Sequence, residues 1–552
     1  FARKHNLHVM VGINAEEGSF RDFSGTRKTL LDNTLPEFSL ATGDMTVSGS
    51  HSHWGTAGYF GRINYDYDGI WLLELNGRYD GSSRFPQHSH WAFFPSASAG
   101  YRISQEKWFE PIRPIVSDAK IRASFGEIGN EAIGSNMFVS SISKKGDSYV
   151  YWTGDGTQKV SMYNMPSLVD ADLSWERIQT LDVGADLGFM NNDLKVTFDW
   201  YQRTTLDMLA PAASLPGVLG ATAPYTNNGT LRTRGWELAI DWHHVFGDLV
   251  VYANASVGDF KSKVTKWSND TKSLNSTYQG MTYGDIWGFE TDRLFTPEDF
   301  TGFDADGNPT GYAPGVPTQV GIQTGSFVYG PGDTKYKDLN GDGKIDGGEG
   351  TADNHGDLKV IGNTQPRYQY SFRLGGSWKG FDLDIFFQGI GKRDVWSQSA
   401  FVIPYYRGAD AIYSNQMDYW KGTFSGGKWT VTNADAEYPR LYAGNNGTGK
   451  VPGIDRGDKN FYPQSKWLSH MAYLRFKNLT FGYTLPQHMT RKIYLEKVRV
   501  YFSGENLFEL INNTNGAFDP EINTGDGSMS NGVFGRTDPM YRTISFGIQL
   551  TL

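Results

Sequence analysis

Apolar and polar side chains alternate along this chain in short runs separated by turn residues. In Leu194-Lys195-Val196-Thr197-Phe198-Asp199-Trp200 every second residue is apolar. The same holds for Leu181, Val183, Ala185, Leu187 and Phe189 against Asp182 and Asp186, and for Phe381, Leu383, Ile385 and Phe387 against Asp382, Asp384 and Gln388. Successive side chains of a strand point to opposite faces, so each run predicts a strand with one apolar and one polar surface.

About fourteen such strands are predicted, an even number as in most single-chain bacterial barrels. They lie near Asn6–Glu16, Gly55–Asp66, Ile70–Asp80, Phe93–Ile103, Ala119–Glu127, Gln179–Phe189 and Leu194–Gln202. The rest lie near Gly235–His244, Leu249–Phe260, Tyr368–Trp378, Phe381–Gln388, Tyr473–Leu485, Val498–Glu505 and Thr543–Leu552. Tyr473–Phe481 breaks phase, since Leu474 and Phe476 oppose Phe481 and Tyr483. A β-bulge or a different register would each account for that.

Connection lengths alternate as well. Asp66–Gly69, Asn191–Asp193, Phe246–Asp248 and Lys379–Gly380 read as tight turns. Between them lie long polar excursions at Gly18–His53, Ile128–Trp175, Asp207–Arg232, Lys261–Arg367, Gly389–His470 and Phe508–Met540. Short turns at one end and long loops at the other predict a transmembrane antiparallel β-barrel with the long loops extracellular. Parity places Tyr283–Phe295 inside the 261–367 loop, because counting it as a wall strand would put the Lys379–Gly380 turn outside.

Composition narrows this reading. Sixty-six glycines and 80 aromatic residues (34 Phe, 30 Tyr, 16 Trp) go with a mean hydropathy of only -0.47. That suits a barrel with an apolar outer band and a wet interior. No stretch approaches the ~20 apolar residues of a membrane-spanning helix. The absence of cysteine excludes disulfides and thiolate metal sites. A net charge of -9 argues against nucleic acid as a partner. Trp71, Trp200, Trp242 and Trp378 are expected in an interfacial girdle.

Several blocks resemble the SusC/RagA-type TonB-dependent outer-membrane transporters of the Bacteroidetes. They are Leu75-Asn-Gly-Arg-Tyr-Asp80-Gly-Ser-Ser-Arg84-Phe, Phe94-Pro95-Ser, Ile121-Arg-Ala-Ser-Phe-Gly126-Glu-Ile-Gly-Asn130, Trp175-Glu176, the Lys335–Ile345 block, Phe387-Gln388-Gly389 and Phe502-Ser-Gly-Glu-Asn506-Leu. They span nearly the whole chain in the family's order. The final Leu552 departs from the phenylalanine common at that position. The resemblance implies a barrel of ~22 strands plugged by a separate domain. Residues 1–552 would then be the carboxyl-terminal part of that barrel, with the plug, the TonB contact and the first strands expected upstream. It further implies import of a large nutrient, glycan or peptide, with a SusD-like surface lipoprotein. A passive porin, an outer-membrane enzyme and a surface adhesin are the alternatives.

Asp338, Asn340, Asp342, Lys344, Asp346 and Glu349 occupy positions 1, 3, 5, 7, 9 and 12 of a loop with glycine at position 6. Five side-chain oxygens and the Lys344 carbonyl at that spacing predict a structural calcium site. Asp304-Ala-Asp306-Gly-Asn308 reads as a plain turn. His51, His53, His88 and His90 read as solvated loop histidines.

Tyr149, Tyr151, Trp152, Tyr405, Tyr406, Tyr413, Trp420 and Trp429 fall in long loops, where flat rings either stack on a substrate or pack the loops together. No catalytic motif is present, and Asp382 and Asp384 read as solvated lumen lining.

Overall fold

The computed structural model describes residues 4–552 except 135, 146–149, 153–158, 213–214, 324–326, 397–401, 405–411, 443–457, 515–518 and 522–537; the side chains of 150–152 and 159–161 are likewise outside the description. Fourteen strands form one antiparallel sheet in which every neighbour in space is the next wall strand in sequence. They are β1 His5–Arg27, β2 Met45–Tyr67, β3 Trp71–Ser82, β4 Trp91–Arg102, β5 Val116–Asn130, β6 Glu176–Phe189 and β7 Leu194–Pro211. The others are β8 Tyr225–Phe246, β9 Leu249–Lys266, β10 Arg367–Trp378, β11 Phe381–Lys392, β12 Tyr473–Thr484, β13 Lys497–Asn512 and β14 Thr543–Thr551. All fourteen expected strands are present. β1 and β14 are the sheet's two edges, and no ladder joins them among the described residues.

The register puts the apolar positions in line across the sheet. One row runs Ala97–Phe125–Leu181, another Val183–Trp200–Trp236, and a third Ala255–Phe372–Phe387. Directly opposed apolar side chains are the unit that stabilises such a ladder. Stacked rings add to it at Phe372–Phe387 and Phe387–Phe476, each with centroids 4.6 Å apart. Trp71 stacks on Tyr101 at 4.1 Å near the short-turn end. Trp242 and Trp378 lie at that same end, while Trp200 marks the opposite border of the apolar band. Trp236 and Trp242 are six residues apart on β8, so the band between them measures about 20 Å along the strand.

The phase break in β12 is a bulge. Phe387 pairs with Phe476 and Phe386 with Asn478, leaving Lys477 as the extra residue. Leu474 and Phe476 thereby share the face of Leu479 and Phe481.

Turn chemistry explains the short connections. Lys379 and Gly380 both have positive φ (46° and 91°), the geometry a two-residue hairpin needs to match strand twist. Two connections at this end are longer than the tight turns expected: 103–115 and 485–496.

Two excursions are shorter than the sequence suggested. β1 and β2 stay paired out to Arg27 and Met45, so most of Gly18–His53 is strand rather than loop. β7 and β8 likewise continue to Pro211 and from Tyr225 into the expected Asp207–Arg232 loop. Beyond the apolar band both faces of a strand are wet, and the alternation that reveals a strand disappears while the backbone ladder continues.

Asp285–Gly288 and Thr291–Leu294 pair with Lys359–Asn363 and Thr334–Tyr336, outside the large sheet, as parity required.

Candidate functional site

The non-lipid face of the sheet is charged, and its charges are paired. Arg122 reaches Asp199 at 2.6 Å, Asp186 at 3.2 Å and Asp182 at 3.4 Å, tying β5 to β6 and β7. Asp382 and Asp384 are not free solvated lining. The Arg499 guanidinium forks onto Asp382, and Asp384 accepts from Arg373 at 2.6 Å and from the Tyr252 hydroxyl at 2.5 Å. Arg475, near the long-loop end of β12, is almost fully buried among Glu509, Asp519 and Glu521, the latter two at 2.6 Å. A wall lined by compensated ion pairs stays polar without a strong net field.

Over the long-loop end, the described residues of 267–366 and 393–472 fold together as a lobe with its own core. Phe289, Phe295, Phe300, Ile322, Phe327, Tyr329, Tyr336 and Ile345 are buried together, and Tyr442 and Tyr462 from the second loop pack against them. The loops are joined by Phe289 N–H donating to Pro463 O (2.8 Å), Arg440 N–H to Gly332 O (2.8 Å) and Thr334 N–H to the Asn460 Oδ1 (2.7 Å).

Trp420 is buried in this lobe and lies edge-on to Trp429, with ring centroids 5.6 Å apart. Gly332 has φ +88°, and a Cβ there would meet the Trp420 ring at 2.4 Å, so glycine is required on both counts. The Trp429 indole donates to Gly307 O at 3.2 Å, packs against Phe303 and Phe424, and carries the Arg440 guanidinium over its face at 4.9 Å. Of the two readings for these rings, Trp420 and Trp429 take the packing one. Val150–Trp152, containing Tyr151 and Trp152, pairs with Lys159–Ser161. Tyr149, Tyr405 and Tyr406 lie outside the described residues.

Buried polar groups hold the lobe's interior. Asp333 is completely buried and accepts from the Gly330 amide (2.8 Å), the Asn460 amide side chain (2.8 Å) and the Tyr442 hydroxyl (2.7 Å). Burial pushes its carboxyl up to about 6 against the pull of those donors. Arg293 forks onto Asp299 at 2.6 and 2.7 Å. Burial works upward on Asp299, yet the Arg293 fork and the Thr296 amide outweigh it and hold its pKa below 3.8. On the lobe surface the ammoniums of Lys337 and Lys359 hold Glu290 down at about 2.

Asp299 closes a capping box with Thr296, a pattern legible in Thr296-Pro-Glu-Asp299. Asp333, Asn460 and Gln464 carry no comparable signal, because an aspartate or amide buried within a loop has no sequence periodicity.

The Asp338–Glu349 loop wraps on its own amides. Asp338 accepts from Gly341 N–H (2.6 Å) and Gly343 N–H (2.9 Å), Asn340 from Asp342 N–H (2.9 Å), Asp342 from Lys344 N–H (3.0 Å) and Asp346 from Gly348 N–H (2.8 Å). Lys344 Nζ sits 3.5 Å from Asp342 and 3.3 Å from Asp346. The donors suit a hard cation in type. Among the described residues no three histidine, cysteine or carboxylate groups are grouped as a metal cluster, and the Lys344 ammonium lies between two of the loop's carboxylates.

Asp304–Asn308 is a turn, its aspartate accepting from Asp306 and Asn308 N–H at 3.0 and 2.8 Å. His51 and His53 are on β2 rather than in a loop; His53 meets Glu17 at 2.8 Å and His88 meets Asp172 at 3.3 Å.

A sheet of this kind, apolar outside, ion-paired inside and looped long at one end, is the wall of an outer-membrane β-barrel. The family described as TonB dependent receptor-like, beta-barrel, matches residues 2–507, and the chain belongs to it.

It is 26% identical over 571 residues to TonB-dependent receptor P3 of Formosa agariphila, covering 99% of this chain and 50% of that protein. It is 25% identical over 473 residues to TonB-dependent receptor SusC of Bacteroides thetaiotaomicron, covering 85% and 41%. The chain thus spans about half the length of the curated relatives it matches. Against the RagAB peptide importer in its open-open state the TM-score is 0.71 at 21% identity, covering 100% of this chain and 53% of that one. At that identity the likeness is one of fold. The protein is placed in the bacterial outer membrane.

Proposed function

We propose that this chain is the barrel wall and extracellular lobe of an active importer of a large nutrient, an oligosaccharide or a peptide. The single observation that carries this reading is the arrangement of the lobe over the wall: a self-cored domain folded from two loops stands at the mouth of an ion-paired inner face. A passive porin needs no such body over its mouth. In this reading a SusD-like surface lipoprotein closes against the long-loop end, and TonB drives opening through a plug domain that lies outside this chain, as do the remaining strands. The similarity to SusC and to the RagAB peptide importer supports the pairing.

The test is uptake by cells carrying the intact protein. Import that stops when the proton gradient is collapsed, and a lipoprotein that co-purifies in detergent, support the proposal. Uptake indifferent to the gradient favours a porin; no uptake but intact surface binding favours an adhesin. Offering labelled oligosaccharides and peptides in parallel separates the two substrate classes.

Calcium is proposed to enter the Asp338–Glu349 loop in place of the Lys344 ammonium, with Asp338, Asn340, Asp342, Asp346, Glu349 and the Lys344 carbonyl as ligands. Calcium is then expected to protect this segment from proteolysis, and Asp338→Ala with Asp342→Ala to remove the protection. Equal cleavage with calcium and with chelator contradicts it.

A further inference from the structure

On β8 and β9 the outward-facing alternation continues above the lipid-facing band, but the residue type changes. Outward positions of β8 run Trp242, Ile240, Leu238, Trp236, then Arg234 and Arg232. Those of β9 run Ala253, Ala255, Val257, Asp259, then Lys261 and Lys263. Arg234 lies opposite Lys261, and Arg232 lies opposite Lys263. All four are exposed, whereas the alternating inward residues Gly235, Ser262 and Val264 are buried.

Like charges at directly opposed positions of a ladder repel. Here two such pairs stack one above the other, and the neighbours do little to compensate. Arg234 donates to the Gln202 side chain at 2.8 Å. The outward carboxylate of Asp259, one residue pair below, is taken by the Arg367 fork. Among the described residues no carboxylate lies within ion-pair distance of any of the four cations.

Four cations in a square, with no carboxylate partner among the described residues, suit an anion with several oxygens, and guanidinium and ammonium groups together suit phosphate. Position selects the source. The square stands directly above Trp236, which borders the apolar band, on the outward face of the wall and away from the lumen, with lobe residues 280–283 hydrogen-bonded to β9 beside Lys263. We propose that it holds the phosphates of a phosphorylated glycolipid of the extracellular leaflet. The lipid's acyl chains would lie along the band beneath that tryptophan. The long stems of Arg and Lys run over apolar surface while their heads stay at headgroup level. The site is independent of what the protein imports.

The test uses the intact outer-membrane protein, delipidated in detergent and read by native mass spectrometry. It is titrated with the phosphorylated glycolipid, with the same lipid after enzymatic dephosphorylation, and with inorganic phosphate. The wild type is expected to prefer the phosphorylated lipid by about tenfold or more, weakening as salt rises. In the variant Arg232→Gln/Arg234→Gln/Lys261→Gln/Lys263→Gln that preference is expected to vanish while the dephosphorylated lipid binds as before. Removing mutual repulsion leaves the ladder intact, and heat-modifiable gel mobility verifies the barrel. The milder Lys261→Gln/Lys263→Gln variant is expected to lose part of the preference. A quadruple variant that keeps the wild-type preference overturns the proposal, and so does inorganic phosphate binding as tightly as the lipid.

Discussion

The wall and the lobe solve opposite problems with the same residue types. Within the wall's apolar band, Leu374 and Val183 are 48% and 42% exposed, and the charges are turned inward. In the lobe, Phe295 and Tyr336 are wholly buried, and the charges of Glu290, Lys337 and Lys359 lie on the surface. The lobe is an ordinary water-soluble core built from two loops. The wall is its inverse, with the bilayer as the apolar partner. Apolarity alone therefore says nothing about where a residue of this protein ends up; the element that carries it decides.

Substitutions can break this contrast from either side. The largest effect is expected from Phe295→Ala, which empties a fully enclosed site ringed by Phe300, Tyr312 and Tyr329. It should cost the lobe about 3–5 kcal/mol while barrel assembly is unchanged, as read by proteolysis of the lobe beside heat-modifiable gel mobility. Leu374→Arg puts a charge in mid-band and should cost about 2–4 kcal/mol in bilayer refolding titrations, leaving the lobe as it was. Loss of both regions from either change would mean that wall and lobe are one cooperative unit.

A pH series sharpens the contrast further. The Asp333 pKa is raised to about 6, so the native lobe binds that proton more tightly than the unfolded chain does. Its contribution is fully present below the usual carboxylate value near 4 and is lost as pH rises through 6. Glu290, lowered to about 2, and Asp299, also lowered, act the other way: their stabilisation is present above the usual carboxylate range and lost as pH falls below it. Lobe stability should therefore rise as pH falls from 7 to about 5 and turn down below about 4. The rise should be absent in Asp333→Asn, as followed by thermal unfolding of the lobe.

The smallest effect belongs to the exposed Lys4–Asp68 pair at the short-turn end. Lys4→Ala should leave barrel and lobe stability unchanged, because such pairs are screened by water and salt.

The wall was legible in the sequence because lipid on one side and water on the other impose a period of two. Even the Lys477 bulge announced itself as a slip in that period. The strand ends at Arg27 and Met45 did not, since above the band both faces are wet. The lobe had no such period to read. Trp420 and Trp429 stood equally for packing and for ligand contact until their neighbours were known, and nothing in Gly-Asp333-Thr marks a buried carboxyl. The spaced side-chain oxygens of the Asp338–Glu349 loop were visible, whereas the Lys344 ammonium lying between two of them was not.

The central claim is that alternate residues of each wall strand face lipid and water. Residues 1–552 contain no cysteine, and with any cysteine elsewhere in the intact protein replaced by serine, single substitutions report cleanly. Each position of β6 from Leu181 to Leu187 except Gly184 is replaced by cysteine in turn, in the intact protein in membranes, and labelled with a charged, water-soluble thiol reagent. The account predicts labelling at Asp182 and Asp186 and protection at Leu181, Val183, Ala185 and Leu187; Gly184 is left out because a side chain there would meet the Arg122–Asp199 pair. Uniform labelling, or the reverse alternation, would contradict it.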